Sequence, residues 1–314
     1  MIPFAEIERA RQVIDGVAVR TPLVRLDVEA DAEIWLKLEL LQPVRSFKIR
    51  GAGNAILTAT DGQLADGVLT ASAGNMAQGV AYAARLRGVP ATIVVPDSAP
   101  RAKLDAIERY GGRVVPVPYE EWWNVLVTGS FDGAGGMFVH PVADPRVQAG
   151  NGTIGLELLE QSPDFDAVVV PYGGGGLVTG IASAVKAKRP EVSVYSAEPE
   201  TGAPAAAAFA AGAPASVGFT PSFVDGAGSG SLLPAVWEQA SQLLDGAFGL
   251  PLDEVAAAIR LLAERTRVIA EGAGALAVAA AASGRVSGKK IVCIVSGGNI
   301  DSGVVARILL GETP

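Results

Sequence analysis

Apolar residues along this chain fall into two alternating patterns. Short, nearly continuous apolar runs bounded by Gly or Pro occur at IWLKLEL (34–40), GVLTAS (67–72), ATIVVP (91–96), GRVVPV (112–117), AVVVP (167–171), VSVYSAE (192–198) and KIVCIVS (290–296). Runs of that length and β-branched content read as strands. Between them apolar residues recur at three- and four-residue spacing over Met76–Leu86, Arg101–Arg109, Thr153–Glu160, Leu177–Ala187 and Leu252–Ala263, which is the period of a helix with one buried face. Such alternation predicts an α/β fold of mostly parallel sheets covered by helices. A strand–helix series between Asp61 and Val139 is long enough for a sheet of its own. The expected division is therefore a small domain over 61–140, inserted in a discontinuous large domain over 1–60 and 141–314. The Ala/Gly/Pro-rich stretch from Thr201 to Ser216 reads as a surface excursion.

Composition narrows the function. A chain of 314 residues can bury a substantial core. Its formal charge of −8 offers nothing to a phosphate backbone, so nucleic acid is not an expected partner and a small molecule is. The N-terminal stretch MIPFAEIERARQVI has no secretory apolar core, and no later run approaches the roughly 18 apolar residues of a membrane span. A cytoplasmic location is expected. The one cysteine, Cys293, lies inside IVCIV and reads as a buried strand residue. The one histidine, His140, excludes multi-histidine metal sites, leaves little for a Ser-His-Asp triad, and reads as structural. Seven lysines are present, at 37, 48, 103, 186, 188, 289 and 290, so the search for a nucleophilic amine is short.

Four turns could carry chemistry. Gly173, Gly174, Gly175 and Gly176 follow the strand DAVVVPY and precede the helical run LVTGIASAVKA. A loop of that kind can aim several backbone N–H groups at one anion, although glycines also serve tight turns that bind nothing. It has neither the Lys-Ser/Thr of a Walker loop nor dinucleotide-fingerprint spacing. In Ser46-Phe47-Lys48-Ile49-Arg50-Gly51 a lysine stands between apolar neighbours, where desolvation would favour the free amine that imine chemistry needs. A solvated lysine at a helix start is the alternative there. Lys37 competes, but it shares a strand face with Trp35 and Glu39 and reads as a surface or ion-paired residue. Ser72-Ala73-Gly74-Asn75-Met76 is a strand-to-helix turn that could receive a carboxylate, or simply cap a helix. Ser296-Gly297-Gly298-Asn299 ends the last core strand, at the sheet edge where ligands collect.

Taken in order, these turns and the segments RTPL (20–23), KLELLQPVRSFKIRGA (37–52), GVAYAARLRGVPATIVVP (79–96), HPVADPRVQAGNGTIGLELLEQ (140–161), VVVPYGGGGLVTGIA (168–182) and RVIAEGAGALAVAA (267–280) resemble the serine/threonine dehydratase and serine racemase family of fold type II pyridoxal-phosphate enzymes. The resemblance spans nearly the whole chain. It implies two open twisted sheets, a homodimer and pyridoxal 5'-phosphate as cofactor. It makes Lys48 the Schiff-base lysine and Cα base, sets Phe47 beside the ring and Asn75 at the ring hydroxyl, gives the phosphate to Gly173–Gly176, and puts Ser296 at the ring nitrogen. It further implies Ser72, Ala73, Gly74, Asn75 and Met76 as the substrate loop, with Trp122 aligned near an arginine that binds acidic substrates in some members. A neutral serine at the ring nitrogen suits prompt β-elimination, yielding a 2-oxo acid and ammonia.

The chain departs from the family where Ala73 and Met76 replace a serine and a histidine. Loss of the serine hydroxyl removes the acid/base opposite the lysine, which disfavours racemisation more than elimination. Met76 and Trp122 together favour a larger or more apolar β-substituent, as in phenylserine, and Trp123 is expected to pack in the small domain. Glu198 matches one acid of a divalent-cation site, but the later acid falls near Pro204, so no metal is expected. Glu271 matches an acid near the substrate or ring, and a helix N-terminal carboxylate is the plainer alternative. The leading expectation is an ammonia-lyase of a β-hydroxy amino acid, serine- or threonine-like or bulkier such as phenylserine. A racemase, a β-replacement enzyme and a non-catalytic binding protein are the rivals.

Overall fold

The computed structural model describes residues 1–162 and 164–314. Its strands are β1 (Leu23–Arg25), β2 (Glu33–Leu38), β3 (Val68–Ala71), β4 (Ala91–Pro96), β5 (Gly112–Val117), β6 (Met137–Phe138), β7 (Ala167–Pro171), β8 (Ser193–Pro199), β9 (Gly246–Leu250) and β10 (Lys290–Val295). Its helices are α1 (Phe4–Val13), α2 (Lys48–Leu57), α3 (Asn75–Arg87), α4 (Arg101–Arg109), α5 (Tyr119–Thr128), α6 (Pro145–Gln161), α7 (Gly176–Lys188), α8 (Pro204–Ala211), α9 (Pro234–Ser241), α10 (Leu252–Thr266), α11 (Gly272–Ala282) and α12 (Ser302–Leu309).

One sheet runs in the order β1-β2-β10-β7-β8-β9, parallel except for β1, and a second, wholly parallel sheet runs β5-β4-β3-β6. This is the fold type II arrangement the sequence led us to expect. Strand β7 shows why its run is apolar throughout. Ala167 and Val169 pack with α11, and Val168 and Val170 pack with α7 on the opposite face, so every position is buried. Helix α11 reads GAGALAVAAAA, with no polar side chain from Gly272 to Ala281 and every one of those residues buried. A helix apolar all round belongs inside a core, and α11 lies against β10, β7 and β8. In the second sheet, Val68, Ile93 and Val95 face α2 and α3, whereas Leu69, Ala71 and Val94 face α5.

Helix α2 is gripped on two sides, by α3 and by α6. The approach is close enough that a Cβ on Gly150 of α6 would stand 2.3 Å from the Arg50 carbonyl oxygen. Beneath α2 lies a buried ionic cluster. The Arg50 guanidinium donates to both Glu39 oxygens at 2.8 Å and to Glu157 at 2.7 and 3.0 Å. Lys37 pairs with the same Glu157 and donates to the Thr21 carbonyl oxygen at 2.7 Å. Lys37 is thus ion-paired but fully buried rather than on the surface, and Glu39 starts a 3-10 turn beyond the strand.

Three further expectations are corrected. Helix α6 begins at Pro145, eight residues before Thr153, where the Asp144 carboxylate accepts from the Arg146 N–H at 2.8 Å and Pro145 takes the first turn. The stretch from Thr201 to Ser216 is a surface excursion only at its far end, where residues 210–214 are exposed; before that, α8 docks by the buried Pro204, Ala205 and Ala208. Trp123 does not pack inside; it is 46% exposed on the outer face of α5. Cys293 is fully buried in β10, as expected.

Candidate active site

Each of the four turns leaves the carboxyl end of a strand. The Gly173–Gly176 loop follows β7, Ser296–Asn299 follows β10, Ser72–Gly74 follows β3, and the 3-10 turn after β2 leads to Phe47 and Lys48. Ligands collect outside such ends in open α/β sheets. Here all four converge on a cavity of about 360 Å³ and a narrow extension of about 50 Å³ that share Phe47, Lys48, Pro141, Gly226 and Ser296. The larger cavity is also walled by Ser72, Ala73, Gly74, Asn75, Met76 and Trp122, and the extension by Gly173, Gly174, Gly175 and Gly176. Every site residue expected from the sequence is therefore in one place.

Lys48 is the first residue of α2 and its Nζ donates to the Pro141 carbonyl oxygen at 3.3 Å, 5.0 Å from the centre of the Phe47 ring. Its amine opens on the cavity but is surrounded by protein, and that desolvation brings it down to about 8 against the opposing attraction of Glu271. Two backbone bonds stitch this segment to the turn after β10: the Phe47 N–H donates to the Ser296 carbonyl at 3.0 Å, and the Gly298 N–H to the Arg45 carbonyl at 2.9 Å. Lys48 and Ser296 are thereby held on one wall.

The glycine loop leaves room that side chains would fill. A Cβ at Gly174 would lie 2.8 Å from a Val142 methyl, one at Gly176 2.7 Å from the Val142 carbonyl oxygen, and Gly175 has φ +89. No side chain caps α7, so its first N–H groups are unpaired within the helix, and its first two residues, Gly176 and Leu177, line the extension. Uncapped helix-start donors, close glycine backbone and a desolvated lysine amine along the same walls are the donor set for a molecule with an aldehyde and a phosphate.

Asn75, Glu271 and Asn299 form a group that the sequence showed only in pieces. The Asn75 amide donates to Glu271 Oε1 at 2.7 Å, the Asn299 backbone N–H donates to Glu271 Oε2 at 3.1 Å, and the Asn299 side-chain amide donates to Asn75 Oδ1 at 2.7 Å. Burial pushes Glu271 up to about 8, with the Asp225 charge adding to the shift. The carboxylate stands at the start of α11 yet makes no capping bond there. Lys103 and Asp225, which motif reading passed over, pair across the mouth of the cavity from α4 and the loop before Gly226. Neither belongs to a recognisable turn, and only the folded seam brings them together.

His140 is structural: its Nδ1 accepts from the Val142 and Ala143 N–H groups at 3.1 and 2.9 Å, shaping the turn that carries Val142. Glu198 is away from the cavity, with its carboxylate accepting from the first N–H groups of α8 at 3.2 and 2.9 Å.

Residues 14–297 match the family model described as "Pyridoxal-phosphate dependent enzyme". The chain is 39% identical over 315 residues to an L-threonine ammonia-lyase of Thermotoga maritima, covering 98% of this chain and 78% of that one. It is 35% identical over 316 residues to a serine racemase of Oryza sativa subsp. indica, covering 95% of this chain and 91% of that one. Among solved structures, maize serine racemase superposes with a TM-score of 0.90 at 34% identity, covering 98% of this chain and 96% of that one.

Proposed function

The chain belongs to the family of pyridoxal-phosphate-dependent enzymes, and we propose that it is an ammonia-lyase which β-eliminates a β-hydroxy amino acid with a large apolar β-substituent, such as phenylserine. The products are a 2-oxo acid and ammonia. Ammonia-lyase and threonine dehydratase relatives over almost the full chain support β-elimination. One observation carries the substrate class: Ala73, Met76 and Trp122 stand together in the wall of the larger cavity, where their apolar surface favours an apolar group, while Lys103 in the same wall is already paired with Asp225.

The family resemblance implies the roles, and the convergence of these residues on one cavity supports them. Gly173–Gly176 and the start of α7 would hold the cofactor phosphate, Phe47 would lie along its ring, Asn75 would meet its hydroxyl and Ser296 its ring nitrogen. When bound, pyridoxal phosphate supplies the electron sink that acidifies the Cα–H of an attached amino acid. Lys48 would hold the cofactor through its amine and, when free, would be the group placed to take that proton; an amine brought down to about 8 has an appreciable neutral fraction near neutral pH. The start of α3 has no side-chain cap, which leaves its first N–H groups for the substrate carboxylate. Ala73 carries no hydroxyl to return a proton on the opposite side, and this favours elimination over the racemase reading that the rice and maize relatives bring.

The same proposal includes a small domain over 61–140 within a large one over 1–60 and 141–314, a homodimer, and a cytoplasmic location; no helix among the described residues is long and apolar enough to cross a membrane. The test is release of 2-oxo acid from stereoisomers of serine, threonine, phenylserine and hydroxyaspartate. Phenylserine is expected to give the highest kcat/KM. Chief activity on hydroxyaspartate would contradict the assignment of Trp122 and Met76.

A further inference from the structure

We propose that Glu271 is a positioning residue that fixes the Asn75 amide, and through it the orientation of the bound cofactor. The inference rests on the reading above that Asn75 meets the cofactor ring. Asn75, Glu271 and Asn299 close a ring of three hydrogen bonds at 2.7, 3.1 and 2.7 Å. The three residues come from separate elements: the first residue of α3, the residue before α11 and the turn after β10. The ring therefore ties the second sheet's first helical turn to the six-stranded sheet, at the wall of the cavity.

Donor and acceptor chemistry makes the ring directional. The Asn299 side-chain nitrogen is held by the Val44 carbonyl and so meets Asn75 as a donor, while both Glu271 oxygens are used as acceptors, from the Asn75 amide and from the Asn299 backbone N–H. Asn75 must then place its oxygen toward Asn299 and its nitrogen toward Glu271, so its amide cannot flip. One of its two amide hydrogens is spent on Glu271, and the other is left pointing elsewhere. That is how a neutral amide is pre-set as a donor of fixed direction. Asn299 is itself anchored, because its side-chain amide also donates to the Val44 carbonyl at 2.9 Å.

The chain accepts costs for this arrangement. Glu271 is buried to 4% exposure with no salt bridge, an expensive place for a carboxylate. A Cβ on Gly297 would fall 2.3 Å from its Oε1, so position 297 must stay without a side chain. Helix capping does not explain the residue, since its side chain makes no capping hydrogen bond at the start of α11. A carboxylate kept in a cavity wall under such terms, a short way from the lysine amine it attracts, marks function rather than stability.

A double-mutant cycle with Glu271→Gln and Asn75→Ala tests this, read by cofactor dissociation constant and by visible circular dichroism of the bound cofactor, which reports its orientation. Glutamine is isosteric but presents an N–H to one of the two donors, so one edge breaks. Glu271→Gln is expected to weaken cofactor binding roughly 10-fold, about 1.4 kcal/mol, and to diminish the dichroism, with the apoprotein's Tm unchanged or raised. Asn299→Ala, which removes another edge, should do the same. In an Asn75→Ala background the effect of Glu271→Gln should vanish, because it acts through Asn75. Additive losses would overturn the positioning role while leaving Asn75's own role intact. If Asn75→Ala alone changes neither readout, the assignment of Asn75 to the cofactor fails, and the inference with it.

Discussion

Burial brings the amine of Lys48 down to about 8 and pushes the carboxyl of Glu271 up to about 8, and the two shifts act oppositely on stability. Glu271 is protonated in the folded chain and ionised in the unfolded one between its ordinary value of 4.5 and about 8. Its stabilisation is complete below that ordinary value and is lost as pH rises through the folded value. Glu198, pushed up to about 7, acts in the same direction. Lys48 binds fewer protons folded than unfolded between about 8 and 10.5, so its contribution recovers as pH rises through that range. We expect the apoprotein's stability to fall between about pH 5 and 8, by at most about 1.4 kcal/mol per unit from each group. Urea titrations of wild type and Glu271→Gln check this: the variant should lose less over that range, and equal losses would count against a protonated Glu271. Ala73 carries the second prediction at this scale. The wild type should return no detectable enantiomer of its substrate, and Ala73→Ser should gain racemisation, seen by chiral chromatography. A wild type that already racemises would remove the case for one-sided proton transfer.

At the scale of elements, strands and turns were easier to read than the helices between them. Strands β3, β4, β7 and β10 stand out because burial on both faces makes them almost wholly apolar, and β2, β5 and β8 stand out by their short runs of Val, Ile and aromatic residues despite polar or exposed positions. The four turns stand out because close backbone approach restricts them to small residues. Helix α6 was half hidden by the sequence RVQAGNG, whose glycines are poor helix formers, although Gly150 admits α2 and Gly152 admits α1 and α7 at close range. Helix α8 was hidden in an Ala-rich stretch without amphipathic contrast, and β9, reading GAFGL, carries too little β-branched content to announce a strand. The ionic cluster under α2 was legible only in the reading of Lys37 as ion-paired, since Glu157, which joins Lys37 to Arg50, lies 120 residues beyond Lys37 in sequence. In space, Arg50 lies about 200° around the helix from Lys48, so the cluster secures the face of α2 opposite the cavity. Arg50→Met would leave Glu39 and one oxygen of Glu157 without their cation. Loss of one partner from such a buried set costs about 3–5 kcal/mol, measurable as a drop in the urea midpoint; a loss under about 1 kcal/mol would show that water or rearrangement relieves the charge.

For the whole molecule, the candidate site lies at the carboxyl ends of strands of both sheets, one supplying Lys48 and the glycine loop, the other the small-residue turn and Trp122. Sequence motifs found nearly all of it, since most of its walls are turns. What they missed, Lys103, Asp225 and the partnership of Glu271 with Asn75, belongs to the seam and exists only once both sheets are in place. Lys103 also makes the main assignment testable, because it is a second amine in the same cavity wall. Reduction of the cofactor-loaded protein with borohydride, followed by peptide mass spectrometry, reads directly which lysine is bonded to pyridoxal phosphate. The pyridoxyl group is expected on Lys48 alone; finding it on Lys103, or on no lysine, would contradict the active site described here.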